Sequence, residues 1–233
     1  MGISLYLAMT AAEISGCDAP PDKLAYMACH FSPYGAGLSN IPCSLPPESV
    51  LILNDRTPIC GHDHKFIAYQ LSQALEELQC SSLLLDFQRP DNPETAVLCQ
   101  YLTEKLPYPI GISAPYAVGL DCAVFLPPCP LDQPLPEHLA PWKHRTMWLE
   151  VAYEALQITV DKGGSRYSHI SSVPAAGLLH NEADLLCSYR IDMTESSAIF
   201  TLSRTGEDID RLIEQAEALG VTHCFGLWQE LST

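Results

Sequence analysis

Basic residues are scarce in this 233-residue chain: 12 Lys and Arg stand against 28 Asp and Glu, a formal charge of −16 at pH 7. So acidic a molecule repels phosphate backbones and anionic headgroups, which excludes nucleic acid and membrane as expected partners. No apolar run approaches the roughly 20 residues of a membrane-spanning helix. The stretch at 3–9 has no Lys or Arg before it and is too short for a signal core, so Ile14-Ser15-Gly16-Cys17 is not read as a lipoprotein cleavage site. A glycine-rich nucleotide fingerprint is lacking, and none of the ten cysteines has Cys-x-x-Cys spacing. They are scattered, several beside apolar runs where a free thiol acts as a small hydrophobe, so a reducing, cytoplasmic setting is expected.

What is present is the composition of a folded protein with many punctuated loops: 47% hydrophobic and 17% charged residues, 13 Gly and 19 Pro. The length suffices for one sizeable core, and a single domain across 1–233 is expected. Short apolar runs at 3–9, 24–30, 50–54, 82–87, 110–114 and 122–126 read as buried strands. Helical stripes lie between several of them. Ile67, Leu71, Ala74, Leu75 and Leu78 form one, and Val97, Leu98, Tyr101 and Leu102 form another behind Asn92-Pro93, an N-cap with an N1 proline. Six strands in so short a span, alternating with helices, predict a compact α/β fold, a closed (β/α)8 TIM-like barrel.

Six prolines at 127–141 predict a loop or lid that forms no ordinary helix. The segment 142–204 then predicts antiparallel hairpins inserted late in the barrel: 148–160 turning at Asp161-Lys162-Gly163-Gly164 into 165–170, and 186–193 pairing with 198–203. Thr205 and Asp208 are spaced as a capping box ahead of an apolar helix face that ends at Gly220, and a last strand at 221–228 completes the barrel.

The fourth strand reads Ser81-Ser82-Leu83-Leu84-Leu85-Asp86-Phe87-Gln88. Alternation puts Leu84, Asp86 and Gln88 on one face, with the polar pair at the C-terminal end, where α/β barrels build their sites. This strand, the late antiparallel insertion and a closing Gly226-Leu227-Trp228-Gln229-Glu230 together resemble the family 18 glycoside hydrolases, the chitinase-like barrels. Their fourth strand carries Asp-x-x-Asp-x-Asp-x-Glu, and their eighth ends in a tryptophan that floors the sugar site. The resemblance puts the motif's glutamate at Gln88 and its last aspartate at Asp86, while Leu84 and Ser81 replace the two earlier aspartates. It thereby implies a carbohydrate site that has lost its general acid, since an amide cannot release a proton near neutral pH. Glu150 and Glu230 are the carboxyls that could substitute for it. Tyr34, Tyr116, Trp148 and Trp228, at predicted strand ends, are the aromatic candidates for stacking on a sugar.

Two other classes stay open. Cys60-Gly61-His62-Asp63-His64 follows the third strand, and His62 with His64 could serve a metal-dependent hydrolase. Alternatively, the proline-rich segment and hairpins could form a non-enzymatic protein-interaction surface. The favoured expectation is a catalytically impaired or divergent glycosidase-like barrel that takes a small molecule or oligosaccharide and carries no cofactor and no resident metal. Elemental analysis of protein purified without a histidine tag is accordingly expected to find no stoichiometric zinc, iron or manganese. One metal per chain, lost in a His62→Ala/His64→Ala double variant, would instead establish the metallohydrolase reading.

Overall fold

The computed structural model describes residues 2–89, 92–170, 177–178 and 180–232. In chain order its elements are β1 (Ser4–Met9), α1 (Ala11–Gly16), β2 (Leu24–Phe31), β3 (Leu38–Ser39), β4 (Val50–Asn54), α2 (His64–Glu77), β5 (Ser82–Asp86), α3 (Pro93–Lys105), β6 (Ile110–Ser113) and β7 (Ala123–Leu126). They continue with α4 (Leu135–Leu139), β8 (Met147–Glu150), β9 (Ala155–Asp161), β10 (Gly164–His169), β11 (His180–Glu182), β12 (Cys187–Met193), β13 (Ser197–Ser203), α5 (Gly206–Ala218), β14 (Val221–Leu227) and α6 (Trp228–Leu231).

Eight parallel strands close on themselves in the order β1, β14, β8, β7, β6, β5, β4, β2, with β2 paired back to β1. This is the TIM barrel that the strand pattern predicts. The short β3 adds antiparallel to β2 outside the barrel. Between β8 and α5 stands a separate antiparallel sheet in the order β10, β9, β13, β12, β11. Residues 171–176 and 179 of the expected insertion lie outside the described residues.

Local sequence signals explain the boundaries. Asp63 caps α2, accepting from the backbone N–H groups of Lys65 and Phe66, and Asn92 caps α3 through Glu94 with Pro93 at N1. Thr205 and Asp208 form the expected capping box on α5, and Gly220 leaves that helix at φ 89°. Two expectations are corrected. The predicted first hairpin arm, 148–160, is two strands: β8 belongs to the barrel and β9 to the outer sheet. Buried Trp148 and Leu149 serve the barrel, whereas the far half of β9 is only partly covered. The proline-rich segment also contains a helical turn, α4, because Pro136 sits in its first turn, where a missing N–H costs no intrahelical bond. Among the described residues, no helix is long and apolar enough to cross a membrane.

The barrel interior is filled by Tyr6, Ala8, Ala25, Val50, Ile52, Leu84, Ala123, Phe125, Trp148 and Phe225. A larger apolar layer lies between strands and helices, with Ile67, Leu71, Leu75, Leu98 and Leu102 on the helix side. Trp148, 2% exposed, is the largest interior side chain. It lies over Gly111 of β6 so closely that a Cβ there would stand 2.1 Å from the indole Cε3. Gly111→Ala is therefore expected to destabilise the fold by about 1–3 kcal/mol through overpacking. Gly35→Ala, with no atom within 4 Å of its would-be Cβ, serves as the neutral control in denaturant titrations. Equal midpoints for the two variants would contradict the packing.

Candidate functional site

Because strand side chains alternate, the interior layer dictates what faces the C-terminal mouth. Two residues beyond Ala8 on β1 comes Thr10, beyond Ile52 Asn54, beyond Leu84 Asp86 and beyond Trp148 Glu150. All four line one cavity of about 690 Å³, floored by Phe125 and Phe225. Gln88, Arg89 and Asp55, on the loops after β5 and β4, complete its wall.

The two loops are locked together. The Asp55 carboxylate, 5% exposed, accepts the backbone N–H groups of Gln88 (3.1 Å) and Arg89 (2.8 Å). Arg89 returns the contact: Nε donates to the Asp55 carbonyl (2.9 Å) and Nη2 to the Arg56 carbonyl (3.1 Å). These charge-assisted bonds hold the backbone at 88 irrespective of its side chain. The Gln88 amide Nε2 donates to Asp86 Oδ1 at 2.6 Å. Ser113, buried on β6, takes the backbone N–H of Phe87 and approaches Asp86 Oδ1 at 3.5 Å.

Burial pushes the Asp86 carboxyl above its usual range, and the nearby Asp55 charge pushes it further, while hydrogen bonds from Gln88 and Ser113 pull it back. Glu150 is moved more, to about 7, chiefly by burial and then by the negative charges of Asp86, Glu154 and Glu230. The cavity thus presents, on two walls, one carboxylate held by an amide and one carboxyl that exchanges its proton near neutrality. Such a pair can accept hydrogen bonds from hydroxyls, receive a cation or move a proton.

Three of the residues singled out from sequence, Asp86, Gln88 and Glu150, share this cavity. The aromatic candidates are placed elsewhere. Tyr34, in the turn after β2, is 97% exposed. Tyr116 is buried behind the mouth, edge-on to Phe87, with its hydroxyl donating to the Arg89 carbonyl, so it props the loop from outside. Trp148 lies inside the barrel with its ring 4.7 Å from that of His223, since its place on the strand points it inward and down. Trp228 starts α6 and packs on the outer apolar layer, leaving Gly226 and Leu227 to line the cavity. Glu230, on the same short helix, accepts the backbone N–H of Tyr153.

His62 and His64 do not converge. Nδ1 of His62 accepts from the backbone of Cys60 (3.0 Å), leaving Nε2 to donate to the Ser32 carbonyl (3.1 Å), while His64 lies against Tyr101 on α3. Among the described residues no group of three or more His, Cys, Asp or Glu is arranged to hold a metal. Sequence reasoning did not single out Thr10, Asn54 or Arg89. The alternation that exposed Asp86 also marks Thr10 and Asn54 at the ends of β1 and β4, but Asp55 and Arg89 act through loop geometry that periodicity does not encode.

Neither a protein-family model nor a curated protein matches the sequence. Solved structures do match the fold. The chitinase-like agglutinin RobpsCRA from Robinia pseudoacacia superposes with a TM-score of 0.62 at 12% identity, over 95% of this chain and 93% of that one. A chitinase from Chromobacterium violaceum gives 0.60 at 8%, over 97% and 93%. A mutant GH18 chitinase from Cycas revoluta, in complex with (GlcNAc)4, gives 0.58 at 9%, over 96% and 94%. At these identities the likeness establishes the fold alone: a (β/α)8 barrel with the architecture of these proteins, matched along nearly its whole length.

Glu150 supplies a test that needs no ligand. A carboxyl raised from its ordinary 4.5 to about 7 binds more protons in the folded than in the unfolded chain, so its unfavourable contribution sets in between these values and is complete above them. Glu150→Gln is expected to leave stability unchanged at about pH 4 and to stabilise the fold by about 1–3 kcal/mol at about pH 8. Denaturant titrations at both values measure the difference. A gain independent of pH would show that the carboxyl titrates normally.

Proposed function

We propose that the C-terminal mouth recognises an oligosaccharide and that the chain is a divergent glycosidase-like barrel whose hydrolytic chemistry is impaired. The observation that carries this reading is Gln88 itself. An amide stands where the chitinase-like motif has its acid, at the edge of an open cavity, with its Nε2 committed to Asp86 at 2.6 Å. An amide in that position donates and accepts hydrogen bonds but cannot protonate a leaving oxygen. Support comes from the neighbouring structures, which include an agglutinin as well as chitinases. The Cycas protein, whose two substitutions include glutamine for glutamate, is in complex with (GlcNAc)4.

Aromatic stacking by Trp228 has no part in this reading. Contact instead falls to the polar rim of Thr10, Asn54, Asp86, Gln88 and Glu150 over the aromatic floor of Phe125 and Phe225. Asp86 accepts a ligand hydroxyl with the carboxylate oxygen that Gln88 leaves open, and Asp86→Ala is expected to weaken binding by about 1.5–3 kcal/mol, the range for hydrogen bonds to charged groups.

Gln88→Glu restores an ionisable group beside Asp86, whose negative charge raises the new carboxyl's pKa and favours its acid form. The wild type is expected to bind short amino-sugar oligomers while cleaving a fluorogenic chitobioside negligibly, and the variant to gain measurable hydrolysis, limited by Leu84 and Ser81. Calorimetry with an oligosaccharide panel and the fluorogenic assay read the two halves separately. Rapid cleavage by the wild type would remove the impairment, and silence toward every sugar would remove the recognition.

A further inference from the structure

The outer antiparallel sheet ends on two unlike edges. β11 is three residues long, and its Asn181 is tied to Asp208 and Arg211 of α5. β10 runs for six residues, all of them exposed, and among the described residues it pairs with no strand but β9. Natural sheets blunt such an edge with Lys, Pro, a bulge or a covering segment. β10 has neither Lys nor Pro, and its register with β9 is unbroken. Its one arginine, Arg166, is paired with Asp161 at 2.7 Å.

Alternation decides which backbone groups are left over. The Ile170 N–H donates to the Ala155 carbonyl at 3.1 Å, and the register carries the same bonding along the even positions, so Arg166 and Ser168 bond to β9. Ser165, Tyr167 and His169 therefore turn their N–H and C=O groups to the open side. Side chains divide by the same rule. Tyr167 stands in one cross-strand row with Ile158, Phe200 and Ile191, whereas Arg166 stands on the other face with Thr159 and Asp192. The two ends of the apolar row, Tyr167 and Ile191, are 58% and 40% exposed.

We propose that two copies of this chain pair along β10, antiparallel about a two-fold axis at Tyr167, and so form one continuous sheet. Centring on Tyr167 sets it opposite itself and Ser165 opposite His169, so all three outward residues of each copy exchange their N–H and C=O groups. Centring on Arg166 would oppose like charges, whereas here Arg166 faces Ser168. The apolar row then runs unbroken from one copy into the other. Charge agrees with this register. Because the copies run in opposite directions, the Lys162 turn of each points toward the end of the other's β10, where Asp132 stands beside His169. In a chain of net charge −16, one of its 12 basic residues is thus brought to an acidic wall. The pairing closes as a dimer, since each copy has one such edge and the short β11 offers no second.

A six-residue edge buries less than a standard interface of about 1,600 Å², so the association is expected to be weak and concentration-dependent. Sedimentation equilibrium from about 10 μM to about 1 mM is expected to show monomer and dimer and no larger species. Tyr167→Lys opposes two ammonium groups at the axis, and Ser165→Pro removes an outward N–H at a place an edge strand tolerates; each is expected to weaken the dimer at least about 10-fold. Thermal melts establish that both variants are folded. Lys162→Glu is expected to weaken it several-fold, and Lys65→Glu, the same charge change on α2, to leave it nearly unchanged. Amide hydrogen exchange reads the register: Ser165, Tyr167 and His169 are expected to gain protection as concentration rises, with Arg166 and Ser168 protected throughout. A chain that stays monomeric at the highest concentration overturns the inference. Self-association that Tyr167→Lys leaves intact, or that Lys162→Glu and Lys65→Glu weaken equally, runs through another face and overturns it as well.

Discussion

An eight-stranded parallel barrel has an interior that only side chains can fill, and here the filling is uneven. Trp148, Phe125 and Phe225 crowd the side made by β7, β8 and β14, opposite the smaller Ala25, Val50 and Ile52 on β2 and β4, and Gly111 yields its whole side-chain volume to the indole. That packing fixes the register of inward and outward positions on every strand. Once Leu84 and Trp148 are inside, Asp86 and Glu150 have no choice but to rise into the mouth. The acidic pair, its desolvation and its raised proton affinities are consequences of how an apolar core was filled two residues earlier.

This dependence also explains which parts were legible in the sequence. Strands such as 50–54 and 82–87 stood out because they are buried on both faces and read as unbroken apolar runs, and their alternation with helices named the barrel. The pair Asp86 and Gln88 was visible for the same reason, as polar residues at the end of a run that could only point one way. Glu150 was visible as a carboxyl after Trp148 and Leu149, but its strand was not, because β8 and β9 follow one another with only a short link and no strong breaker. The aromatics misled. Trp148 and Trp228 look alike as tryptophans near strand ends, yet one sits a residue pair too deep and the other a residue too late, and position relative to the mouth is a matter of single residues.

The outer sheet shows a related limit. Along β9, β13 and β12 one face carries Leu156, Leu202 and Tyr189 near the barrel and Val160, Ala198 and Met193 at the far end. Only the near end is sealed, by Leu131 from the proline-rich segment together with Cys187. Alternation predicted strands here, but the segment that covers them comes from about 25 to 70 residues away in the chain, and no local pattern announces such a contact.

The clasp between Asp55 and the backbone of residues 88 and 89 separates shape from chemistry at one position of the mouth. Its bonds run through main-chain N–H groups and a carboxylate from the neighbouring strand, so the loop keeps its path whichever side chain position 88 carries. A barrel built this way can exchange a proton donor for an amide, or the reverse, by a single codon change without refolding the loop, and the mouth becomes a socket in which the working part is replaceable. On the reading proposed above, drift between enzyme and lectin then crosses no structural barrier at that position, only a chemical one.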